Sequence, residues 1–272
     1  MNPLHLLKIE WSKYSPSGAF RTIVAFYAGS FALVTFLART AGQNMSMTVN
    51  GAISHPLDGL FVHPHNWALL ASIGSWMNLF VLGSLGVYMI TLEFSNRTLR
   101  QSVIFGLTRP EVAVAKLVWA AALALGATLF YMLLALGVEV LDGAGVGMPS
   151  VVSIVCFFVQ ALGYLCLGTL VGLVIRQTAL AALAYLAYVI FLESACRWIL
   201  YFTVVKSRLL LFLPAHVLGS LTPFPVPDSV NALVNSNLAT KSLSMTEAAI
   251  GALVYLTLFA ALFSRRIVKA DL

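Results

Sequence analysis

A chain of 272 residues with 60% hydrophobic side chains and only 10% charged ones is an integral membrane protein, because soluble domains carry ~25% charged residues. Its mean hydropathy of +0.92 leaves no room for a separate soluble domain. The net charge of +6 does not signal nucleic-acid binding, since the bases stand at the ends of apolar segments, where cationic anchors belong.

Residues 1–17 come first. Leu4, Leu7, Trp11 and Tyr14 recur at helical spacing and form one stripe. With Lys8 and Lys13 beside it, this stripe predicts an amphipathic interfacial helix, ended by Ser15-Pro16-Ser17-Gly18. The apolar run Leu4-His5-Leu6-Leu7 is too short for a signal peptide.

Six apolar segments come next, at about 22–38, 67–92, 112–138, 151–175, 178–195 and 248–264. A helix needs ~20 residues to cross the hydrocarbon core, so each predicts one span. Residues 40–66 are polar and read as a loop. His55, His63 and His65 lie there without a fourth metal ligand. Cys156 and Cys166 are ten residues apart on one predicted helix, too far to bridge, and Cys196 has no evident partner. Gly168-Thr169-Leu170-Val171-Gly172 permits close helix approach, within one chain or between two. Residues 196–247 hold short apolar runs broken by Pro214, Pro223, Pro225 and Pro227, a pattern of re-entrant or interfacial helices. Glu193 and Arg197, four apart, can pair either as an anchor at the outer interface or as an ion pair inside the bilayer. Ser244-Met245-Thr246-Glu247 is a capping box at the start of the sixth span. No repeat or linker divides the chain, so residues 1–272 read as one domain.

An even number of spans puts both termini on one side. With them lie Lys8, Lys13, Arg21, Arg97, Arg100, Arg109, Lys116, Arg176, Arg265, Arg266 and Lys269, 11 of the 16 bases. The positive-inside rule makes that side cytosolic.

The segment 93–111 between the second and third spans is the most patterned. Ser95 can cap a helix running to about Phe105, with Leu99, Val103 and Ile104 as its apolar patch. Glu93 precedes Arg97 by four and Arg100 by seven, so one face can hold all three charges. Gly106 can end that helix, and Thr108-Arg109-Pro110-Glu111 restarts one with a second capping box. Lys116 would snorkel from the start of the third span. The expected product is a hinged elbow: span, surface helix, glycine turn, span.

Glu93-Phe94 followed by Asn96-Arg97-Thr98, then Arg100, Gly106, Arg109 and Lys116, resembles the permease subunits of type-2 ATP-binding-cassette exporters. The six spans, the N-terminal amphipathic helix and the broken segment before the last span are similar to that family as well. The resemblance implies an all-α membrane fold in which residues 93–111 form a coupling helix docked on an ATPase. Glu93, Arg97, Thr98, Arg100, Gly106 and Arg109 would be the coupling residues, although many members carry glycine where Arg97 stands. It further implies two copies of an ATPase partner holding ATP and Mg2+, a second copy of this chain or a sister permease, surrounding membrane lipids, and a place in a bacterial inner membrane with both termini cytosolic. The chain itself has no Gly-x-x-x-x-Gly-Lys-Ser/Thr, so it would bind no cofactor and hydrolyse no ATP.

Other functions compete with this one. The same fold could act as a mechanotransmitter on an envelope or membrane partner without moving a substrate. A secondary transporter is disfavoured by the expectation that the spans bury no Asp, Glu, His or Lys. An intramembrane enzyme is disfavoured because Ser75, Asn78, Tyr88 and Tyr164 have no base beside them in the sequence pattern.

Overall fold

The computed structural model describes residues 3–44, 47–49, 52–54, 61, 63, 65–104, 106–141, 147–196, 211–225 and 243–269. Nine helices are formed by these residues: α1 (Pro3–Tyr14), α2 (Gly18–Asn44), α3 (His65–Ser95), α4 (Thr98–Ile104), α5 (Arg109–Leu141), α6 (Val151–Ile175), α7 (Thr178–Cys196), α8 (Pro214–Gly219) and α9 (Met245–Lys269). Six of them (α2, α3, α5, α6, α7 and α9) are long and apolar enough to cross a membrane. The molecule is therefore a helical, multi-pass membrane protein. Each span was legible as an apolar run, and most helices extend a few residues past it into polar sequence. Residues 40–66 hold more than a loop, because α2 continues to Asn44 and an antiparallel hairpin pairs Met47–Val49 with Ala52–Ser54, Thr48 opposite Ile53.

Spans α3 and α6 sit at the centre, mostly buried, while α2, α7 and α9 turn most of their surface outward. Glycines bring the two central helices together. A Cβ on Gly168 would run into the carbonyl oxygen of Gly83, one on Gly86 would meet that of Leu165, and one on Gly172 would strike Ile90 and press on Val87. The Gly168/Gly172 pair is thus consumed inside the chain, which settles the choice its spacing left open. Beyond the glycines, Phe31, Tyr131 and Phe157 stack into an aromatic layer that ties α2 and α5 to α6.

Two helices carry a single π-helical turn, Asn78–Leu82 in α3 and Tyr188–Leu192 in α7. Such a turn widens the helix by one residue and frees a carbonyl. In α3 the Leu79 carbonyl accepts the Tyr185 hydroxyl from α7 at 2.7 Å. The π turn in one span therefore supplies the acceptor for a buried tyrosine of its neighbour.

The segment before the last span departs from its expected form. Pro214 opens α8 at the first helical position, where the missing amide costs nothing, and does not merely break a run. Glu193 takes the free amides at that helix start, accepting from Ala215 at 3.0 Å and His216 at 2.6 Å. It is buried. Its expected partner Arg197 lies outside the described residues, as do most of residues 196–247. The capping box at α9 forms as predicted: the Ser244 amide donates to Glu247 Oε2 at 3.0 Å, and the Glu247 amide to Ser244 Oγ at 3.3 Å.

Candidate functional site

At the end of the bundle where α1 meets the close of α3 and the opening of α5, four charged side chains are packed together. Lys116, about two turns into α5, is 5% exposed and bonds both Glu10 of α1 and Glu93 of α3. Lys13 donates to Glu10 at 2.9 Å and stands 3.8 Å from Glu93. The Tyr14 hydroxyl donates to Glu93 at 2.9 Å, and its ring stacks on Trp119. Lys13 also donates to Ser102 Oγ of α4 at 3.2 Å. This node joins α1, α3, α4 and α5.

Charge explains why the node is tolerated. A lysine ammonium taken out of water alone would cost several kcal/mol. Here two ammoniums face two carboxylates, and the buried set is neutral. Burial raises the Glu10 carboxyl, but Lys116 and Lys13 outweigh it and hold the group below its ordinary 4.5. Burial lowers the Lys13 ammonium, but Glu93 and Glu10 outweigh it and hold it above its ordinary 10.5. Burial, with both acids, pushes the Tyr14 phenol well above its usual value. A depressed carboxyl adds stability that is complete above pH 4.5 and is lost as pH falls through the lowered value. A raised ammonium adds stability that is complete below pH 10.5 and is lost as pH rises through the higher value. Docking of α1 should therefore be flat across neutral pH and loosen in acid. Amide protection in α1, measured against the intrinsic exchange rate at each pH, should fall on acidification below pH 4.5.

The short helix α4 is built by two backbone devices. Ser95 is the last residue of α3 and does not cap α4; the break falls at Asn96 and at Arg97, whose φ of +55° is left-handed. At the other end Gly106, φ +98°, closes a Schellman motif: its amide bonds the Val103 carbonyl at 3.0 Å, and the Leu107 amide bonds that of Ser102 at 3.1 Å. Leu99 and Ser102 face inward, and Leu99 packs with Val112, Leu173, Phe263 and Ile267. Arg97, Arg100, Gln101 and Ile104 face outward. Ile104, expected on the apolar patch, is 74% exposed and shares the arginine face, as 100° per residue requires.

The predicted site residues therefore divide. Arg97 and Arg100 are exposed together on the outer face. Thr98 opens α4, its carbonyl accepting the Ser102 hydroxyl at 2.8 Å. Arg109 donates to the Val268 carbonyl at 2.9 Å, securing the end of α9. Glu93 is turned inward to the node, so the charge-sharing expected between it and Arg97 and Arg100 gives way to pairing with Lys116, Lys13 and Tyr14. Lys116 is enclosed and does not snorkel. The stripe read on α1 also shifts: Leu4 and Trp11 are exposed, and the buried face is Leu6, Glu10 and Tyr14. The signal available in the sequence was the i, i+4 pair Glu10 and Tyr14, together with a lysine set inside an apolar helix.

The capping box at Thr108 forms through Glu111, whose Oε2 accepts the Thr108 amide at 2.9 Å and its hydroxyl at 2.8 Å. On the same end of the bundle Arg176 lies over the Phe94 ring at 5.0 Å. Arg265 and Arg266 are exposed near the close of α9. The outer surface around α4 is accordingly basic.

Buried polar groups also occur elsewhere. At the opposite end of α5, Glu139 accepts from Trp67 Nε1 at 2.9 Å and Asn66 Nδ2 at 3.2 Å, with His63 Nδ1 at 3.1 Å. At mid-depth Tyr27 donates to Asn78 at 2.8 Å, and the Gln160 amide reaches Ser75, Thr222 and the Leu218 carbonyl. These correct the expectation that the spans bury no acid or lysine: the helices run long enough to enclose Glu93, Lys116, Glu139 and Glu193. All four sit near helix ends, however, and the central polar groups are uncharged.

Fold and site together define a multi-pass membrane protein with a short basic helix held at one end by a buried charged node. The sequence matches no protein-family model and no curated protein.

Proposed function

We propose that this chain is the membrane-spanning subunit of an ATP-driven transporter of the type-2 ATP-binding-cassette kind, most simply an exporter, working with two copies of a separate ATPase and a second permease. One observation carries the reading. Helix α4 is short, closed by sharp turns at both ends, and exposes Arg100, Gln101 and Ile104 beside Arg97 of the preceding turn, while its inner face is packed against the ends of neighbouring helices. An apolar side chain set among arginines is a docking surface with a hot-spot anchor. The inner face of α4 is bolted to α1 through Ser102 and Lys13, so force on the helix reaches α3 and α5 through the node. The left-handed Arg97 also suits the glycine that resembled permeases often carry there.

In this reading Glu93 acts behind the docking helix, transmitting its displacement, and Arg100 and Ile104 touch the partner. The decisive measurement is purification from the native membrane. The chain should emerge with an ATPase and in a two-permease assembly; an active monomer without an ATPase would overturn the proposal. Ile104→Asp should leave folding intact, because the side chain is exposed, and weaken ATPase binding by about tenfold or more. Orientation is tested independently. A cysteine at Gln101 should resist a membrane-impermeant label applied to intact cells, and one at Met148, exposed at the other end of the bundle, should react.

A further inference from the structure

On the flank of the bundle an apolar groove of about 610 Å3 runs between α1 and the first three spans. Its length along α5, from Trp119 to Phe130, is roughly 16 Å at helical rise. Val24, Leu123, Gly126 and Phe130 line the far portion, and Lys8, Trp11 and Trp119 line the portion beside α1. The chemistry changes from one end to the other. Lys8 is exposed, and no acid among the described residues is bonded to it. Trp119 is 4% exposed and its ring closes the groove at that end. One end of the groove thus offers a cation, and the rest offers only hydrocarbon and aromatic surface.

We propose that this groove is a binding site for one phospholipid of the surrounding bilayer with an anionic headgroup. An acyl chain lies along Gly126 and Phe130, and the phosphate sits by Lys8. A zwitterionic lipid fills the apolar portion equally well but gains less from Lys8, so the site discriminates by headgroup charge. The bound lipid seats α1 from the side opposite the charged node, since Trp11 and Lys8 face the groove while Glu10 and Tyr14 face the node. This assignment stands apart from the transport reading and survives its failure.

The test reconstitutes the full chain in vesicles of equal phosphatidylglycerol and phosphatidylcholine, extracts it in mild detergent and weighs it by native mass spectrometry. The wild-type chain should retain one phosphatidylglycerol in preference to phosphatidylcholine. Lys8→Gln should cut that preference about fivefold, the factor for one lysine at an anionic surface. Gly126→Phe should abolish retention of both lipids by filling the groove; a Cβ there meets nothing within 4 Å, so the backbone tolerates it. Equal retention of the two lipids by the wild-type chain would overturn the proposal. So would a phosphatidylglycerol preference unchanged by Lys8→Gln, a surface substitution that leaves folding intact.

Discussion

Lys116→Met should destabilise the folded chain by about 3–5 kcal/mol, the cost of leaving buried charges without a counter-ion. Methionine matches the lysine stem in length, so the loss is electrostatic. Glu10 and Glu93 would then face each other with only Lys13, itself partly exposed, between them. The first readout is a drop in midpoint on thermal or denaturant unfolding in detergent. The second is local: α1 should become accessible to protease before the spans do. The compensating variant separates charge from packing. Glu10→Gln and Glu93→Gln added to Lys116→Met remove the uncompensated acids, and stability should return most of the way. Failure of the triple variant to recover would show that the lysine acts through shape or a specific bond.

Gly168→Ala should be damaging out of proportion to a single methyl group. Its Cβ would strike the Gly83 carbonyl oxygen, and backbone cannot move aside as a side-chain tip can. The two central helices must separate, which costs typically ~1–3 kcal/mol and more where several contacts are lost together. Gly126→Ala is the matched control. It adds the same methyl on an exposed face with nothing within 4 Å, and alanine is favoured over glycine in a helix by about 1 kcal/mol. Opposite signs at the two glycines, in the same unfolding assay, are the expected result. Equal effects would mean that α3 and α6 do not approach as closely as the structure has them.

Much of the fold was readable because apolar runs of span length have few alternatives in a bilayer. The six spans and the glycine stop at Gly106 derive from length, hydropathy and local backbone preference, all of which act over a few neighbours. The capping box at Ser244 is equally local. The charged node was not readable, because it depends on side chains from three distant segments. Glu93 has two arginines within seven residues and one lysine 23 residues away. Local spacing favoured the arginines. Tertiary geometry chose the lysine, because α3 ends with Glu93 facing inward and the left-handed turn at Arg97 swings the arginine face of α4 to the outside. Ile104 was misplaced because hydrophobicity assigned it to the buried patch, whereas it stands four residues after Arg100 and so shares the arginine face. The pattern on α1 was read from its apolar residues, so the glutamate at its buried centre was left off the stripe.

The distance along the chain between the node's partners has a consequence for biosynthesis. Glu10 and Lys116 are 106 residues apart. At ~5–20 residues per second of synthesis, Glu10 emerges on the order of 5–20 s before Lys116, its buried partner. Through that interval α1 has no buried seat and must remain hydrated at the membrane surface, while the first two spans enter the bilayer without it. Seating of α1 is therefore a late event in the birth of the chain, although its residues are made before those of any span.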